Sequence, residues 1–69
     1  MNTITRDFKV DKAWIGFIRF IFEAHEGIAV VSTLDPKAGL IRLAVAPDRM
    51  ASAMMIVDDL KKDCMFDEV

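Results

Sequence analysis

The stretch Ile28-Ala29-Val30-Val31-Ser32-Thr33-Leu34-Asp35-Pro36-Lys37-Ala38-Gly39-Leu40-Ile41-Arg42-Leu43-Ala44-Val45-Ala46 decides the fold. It holds two runs rich in β-branched residues, which read as strands over 28–34 and 40–46. Between them, Asp35 at the first turn position, Pro36 at the second and Gly39 near the end describe a type I turn finishing in a left-handed residue. The two strands therefore form a hairpin. A four-residue loop that opposes Asp35 to Leu40 puts the heavier side chains, Ile28, Val30 and Leu34 with Ile41, Leu43 and Val45, on one face. The opposite, open face would then carry Thr3, Thr5, Ala29, Val31, Thr33, Leu40, Arg42 and Ala44.

Towards the N-terminus, Ile4, Phe8 and Val10 alternate with polar residues, the period-two pattern of a strand. Asp11 follows, with a carboxylate suited to the first free N–H groups of a helix, and Val10 and Ile15 stand at the two places of a hydrophobic staple. The first helix is expected from Lys12 and should stop at Gly27, with His25 suiting its negative end. Towards the C-terminus, Pro47 ends the third strand and Asp48 can cap what comes next. Met50, Ala53, Met54, Val57, Leu60 and Cys64 then recur at helical spacing. Residues 65–69 suffice only for a brief final strand or an extended arm. This order predicts an α+β, ferredoxin-like sandwich as a single domain over 1–69, with an antiparallel sheet of order 4-1-3-2 and both helices on one face. A stunted fourth strand would leave one side of the first strand open to another chain.

Size sharpens that point. A chain of 69 residues buries only about 60% of its unfolded surface, so one thin core is all it can hold. Cys64 is the only cysteine, so no internal disulfide can supplement that core. Association is the remaining source of stability, and 54% apolar residues provide material for it. A net charge of −2 argues against a field that recruits nucleic acid or anionic lipid. The charged, alternating N-terminal segment is unlike a secretory signal, and the most apolar stretch, 13–24, is interrupted by Arg19 and Glu23 and too short to span a bilayer. The expected compartment is the cytoplasm.

The first helix holds the most information. At ~100° per residue, Lys12, Gly16, Arg19, Glu23 and Glu26 share an arc of roughly 80°, and an apolar arc of roughly 220° takes up most of the remainder. That is about twice what docking onto one sheet requires. Three readings of the surplus stand: ordinary core, a homodimer interface built from Trp14, Phe17, Phe20, Phe22 and the C-terminal Phe66, or a ligand pocket. His25 falls inside the apolar arc and reads as a capping or half-buried structural histidine. Cys64 reads as a small apolar residue at the end of the second helix, and the charges around Leu60 as a solvated face. The methionines of that helix read as core filler, and of them only Met55 points to the polar side.

Activities housed on ferredoxin-like scaffolds each need particular residues. A soft-metal carrier needs a Cys-x-x-Cys pair. An acylphosphatase-like hydrolase needs an asparagine to place water, and the one asparagine is Asn2. RNA recognition needs aromatic rings on the open sheet face, and the expected face has none. No metal-ligand spacing, catalytic set or phosphate loop stands out, so no cofactor, metal or catalytic residue is expected.

The runs Phe20-Ile21-Phe22-Glu23-Ala24-His25-Glu26-Gly27, Val31-Ser32-Thr33-Leu34-Asp35 and Leu43-Ala44-Val45-Ala46-Pro47 resemble a family of short bacterial proteins known only as a domain of unknown function. The resemblance spans most of the chain and implies a shared fold. More loosely, the chain is similar to ACT regulatory domains, which pair as dimers and bind amino acids where the first strand meets the first helix. Asp11 stands at that junction, but Ala13-Trp14 replaces the Pro-Gly that such domains favour. The leading expectation is a non-catalytic dimeric interaction or regulatory module. A second is an ACT-like amino-acid sensor that uses Asp11, Lys12, Trp14 and Gly16. A third is an enzyme subunit whose site forms only with a protein partner.

Overall fold

Alternation carries the first strand through to Val10, and Asp11 ends it by turning its carboxylate back onto the chain. In the computed structural model, which describes residues 3–25 and 27–69, β1 (Ile4–Val10) leads into a short 3-10 turn over Lys12–Trp14 and then α1 (Ile15–Ala24). The Asp11 carboxylate accepts the Ala13 N–H at 3.0 Å, satisfying one of the free donors at the helix entrance. The helix ends earlier than glycine alone would dictate: His25 is already its cap, and Gly27 follows with φ +70°. Next come β2 (Ala29–Asp35), β3 (Leu40–Val45), a 3-10 turn over Pro47–Arg49, α2 (Met50–Leu60) and β4 (Phe66–Glu68).

The expected Asp48 cap is not formed. Ala46 occupies the cap position, Pro47 opens the turn, and Asp48 sits in the first turn, where its charge suits the positive helix end. The tail does supply a brief fourth strand, β4, pairing with β1 from Phe8↔Glu68 to Val10↔Phe66. The sheet is antiparallel with order β2-β3-β1-β4, an α+β arrangement compatible with a ferredoxin-like sandwich. Arg19 on α1 reaches the Thr33 hydroxyl, and Met54 on α2 meets the Arg6 guanidinium. Register places Thr33 and Arg6 on the same face, so both helices cover that face.

The hairpin turn forms as its residues dictate: the Asp35 carboxylate accepts the N–H groups of Lys37 and Ala38, and Asp35 does face Leu40. The face assignment of β2 is corrected, however. An irregularity between Thr33 and Asp35 inserts an extra residue, so Ala29, Val31 and Thr33 lie opposite Val45, Leu43 and Ile41 on the helix-covered face. Val30 points outward and is 64% exposed, and Leu34 is also exposed. The open face therefore carries Thr5, Asp7, Lys9, Val30, Ser32, Leu40, Arg42 and Ala44, not Ala29, Val31 and Thr33.

Between the layers, Phe8, Val10, Ile18, Phe22, Ile41, Leu43, Val45, Ala53, Val57 and Phe66 are all but fully enclosed. Phe8 and Phe66 meet edge to face at 5.0 Å, which ties β4 into the core. Two ion pairs flank β1. Asp7 takes the Arg42 guanidinium through both oxygens, at 2.7 and 3.1 Å, on the open face. Arg6 grips Glu68 of β4 through two nitrogens on the other face. Hydrogen bonding to its arginine holds each carboxyl, Asp7 and Glu68, below its ordinary range.

Gly39 closes the hairpin against β1. Its φ is +72°, an added Cβ would stand 2.2 Å from the Val10 carbonyl oxygen, and the Gly39 carbonyl accepts the Val10 N–H at 2.8 Å. Gly39→Ala should cost about 2–4 kcal/mol in urea unfolding, from the left-handed backbone plus the displaced contact. Gly27→Ala, equally left-handed but with open space around it, should cost only about 1–2 kcal/mol. Because both paired carboxyls have lowered pKa values in the fold, their stabilisation is complete above the ordinary carboxylate range and fades as pH falls through the lowered values. Asp7→Asn and Glu68→Gln should each flatten the rise of melting temperature with pH on the acid side, measured by circular dichroism.

Candidate functional site

A two-layer sandwich accepts apolar side chains from one side of each helix, and α1 has too many for its share. Ile18 and Phe22 point into the core and are fully buried; Trp14, Ile15 and Ile21 are half-buried along the edges. Phe17 stays 47% exposed and Phe20 64% exposed. At ~100° per residue, Phe20 lies about 180° from the direction shared by Ile18 and Phe22, so it faces straight away from the sheet. The Trp14 ring stands edge-on to Phe17 at 5.3 Å, forming a small aromatic shelf beside it. Of the five residues assigned to an interface by sequence, Phe17 and Phe20 are exposed on this side, with Trp14 half-buried at its edge against Phe17. Phe22 and Phe66 are not, because the protomer's own core encloses both.

The four residues assigned to a ligand at the helix entrance are scattered in role. The Asp11 carboxylate is engaged as a cap, Lys12 and Gly16 are exposed, and Trp14 is committed to Phe17. None of them lines either of the two grooves on this surface.

Those grooves run along the seam between α1 and α2. The larger, about 590 Å³ and open to solvent, is lined by Ala24, His25, Ile28, Arg49, Ser52, Met55, Ile56 and Asp59. The smaller, about 290 Å³, shares His25, Ile56 and Asp59 and adds Phe17, Ile21, Leu60 and Asp63. His25 is thus an exposed rim residue and not a half-buried structural one. Its N–H caps the helix on the Phe22 carbonyl at 3.3 Å. Of the α2 residues of this rim, Met55 was marked from sequence only as pointing to the polar side and Asp59 only as part of a solvated charged run; Ser52 and Ile56 were not marked, although Ser52, Met55, Ile56 and Asp59 recur at the i, i+3, i+4, i+7 spacing of one helix face. Arg49 brings positive charge to one end of the seam and Asp63 negative charge to the other.

Cys64 is half-buried, its thiol directed at the Leu60 carbonyl at 3.5 Å, and burial together with Asp11 and Asp63 pushes its pKa up. That keeps it protonated and a poor nucleophile. Among the described residues, no group of three or more His, Cys, Asp and Glu side chains is placed to hold a metal ion. Among the same residues, no helix is long and apolar enough to cross a membrane.

No curated protein and no solved structure matches the chain. A family model does, over residues 8–63, from the middle of β1 to just beyond α2, so that it takes in both helices and the seam between them. The chain accordingly belongs to the family described as Domain of unknown function (DUF4911).

Proposed function

We propose that this chain is a small non-catalytic interaction or regulatory module of the cytoplasm that works as a homodimer. The observation that carries the reading is the pair of exposed rings, Phe17 and Phe20, on a helix whose opposite side already fills the core. A second copy is the partner that needs nothing beyond this chain to exist. A buried phenylalanine removes 150–250 Å² from water, so four half-exposed rings in a dimer offer on the order of 400 Å², or roughly 10 kcal/mol before association costs. Those costs run from about 4 to 15 kcal/mol, so at the low end of that range the rings alone leave about 6 kcal/mol, a Kd of tens of micromolar, and at higher cost the surrounding contacts must supply the difference.

A second reading, small-molecule sensing in the manner of ACT-like domains, is favoured by the interhelical groove. Its volume falls within the range of ligand sites, and Arg49, His25, Ser52 and Asp59 surround an apolar floor. In that reading the ligand sits at the far end of α1 from Asp11, Lys12, Trp14 and Gly16.

Sedimentation equilibrium should show a monomer–dimer equilibrium with Kd of about 10–100 μM. Phe20→Asp should leave a monomer while preserving the melting temperature of dilute protein, because Phe20 contributes little to the core. A wild-type chain still monomeric at several hundred micromolar, a few times the top of that range, would remove the homodimer reading. For the second reading, an amino-acid panel followed by amide chemical shifts should perturb His25, Ser52 and Ile56; a panel that moves none of them ends it.

A further inference from the structure

Gly16 has no use within its own protomer. It lies in the first turn of α1, where glycine weakens a helix relative to alanine, and a Cβ built on it would meet nothing within 4 Å. Neither a left-handed backbone nor a close internal neighbour accounts for it. Its effect is to leave a notch on the exposed surface one helical turn before Phe20, the ring that faces straight out. A ring and a notch one turn apart on the same face form a self-complementary pair.

Resting on the homodimer reading, we infer that two α1 helices pack antiparallel across a twofold axis level with Ile18, each Phe20 ring lying over the partner's Gly16. Such an axis makes the contact isologous: position 16 meets 20, and 20 meets 16. The same axis brings Ala13 opposite Glu23, so that the Glu23 carboxylate reaches the partner's Lys12 on the flank of the helix that carries Gly16. Lys12 and Glu23 are exposed and form no ion pair with another described residue. Both therefore keep their charge available. On the other flank, the two Phe17 rings come together beside the axis. A parallel arrangement forgoes the charge pairing, since a twofold running along the helices puts the two Lys12 and Glu23 flanks on opposite sides of the contact, where neither meets the other. It would also press the two outward rings together and leave both notches empty.

Sedimentation equilibrium on the full chain, read beside thermal melts of dilute monomer, tests this arrangement with variants that keep the fold. Gly16→Ala should raise the melting temperature of the monomer, because alanine is the better helix former, and yet weaken the dimer by about tenfold or more by filling the notch. A merely structural glycine would show both changes in the same direction. Lys12→Glu and Glu23→Lys should each weaken the dimer about fivefold, and the two together should restore it to within about twofold of wild type. If wild type dimerises while Gly16→Ala leaves Kd unchanged or the double charge exchange fails to restore it, the antiparallel packing is wrong and the homodimer stands on another face. If wild type never dimerises, both fall together.

Discussion

One helix cannot hide apolar residues on both of its sides in a sandwich of two layers. Everything about α1 follows from that constraint. The sheet takes Ile18 and Phe22, α2 and the chain entrance partly shelter Trp14, Ile15 and Ile21, and there is no third layer for Phe17 and Phe20. Among the described residues, no further helix or long loop lies over them. Exposed rings in a protein this small have a thermodynamic consequence, because water that must order around them favours any surface able to displace it.

The hairpin and its tip show how far residue chemistry alone can reach. Asp35, Pro36 and Gly39 specify the turn, and Asp35 faces Leu40 as their spacing requires. Their signal is local, resting on side-chain caps and a left-handed glycine that act within a few residues. The irregularity at Thr33–Asp35 is not local in the same sense. Nothing in Ser32-Thr33-Leu34 demands an extra residue; it shows only in how β2 pairs along β3. One inserted residue exchanges the inward and outward sets, which is why Val30 lies outside and Val31 within.

The surplus on α1 was legible for a similar reason: width of an apolar arc is a property of one helix. Which rings formed the surplus was not, since the width of the arc does not say which part of it meets the sheet, and Phe66 could be placed only once β4 was seen to dock beside Phe8. The interhelical seam lay further out of reach. His25 comes from the end of α1 and Arg49 from the start of the second helical segment, and only the antiparallel packing of the two segments makes them neighbours. Ser52, Met55, Ile56 and Asp59 do share one helix face by spacing, but spacing does not say that the face overlooks a furrow.

The extra residue in β2 also shapes the outer rim of the sheet. A rim strand with evenly spaced free amides and carbonyls is a template on which further strands can crystallise, one molecule after another. A bulge interrupts that even spacing and coils the strand, so an incoming chain could zip onto only part of its length. Stacking of copies through their sheets into fibrils is thereby discouraged at the β2 border.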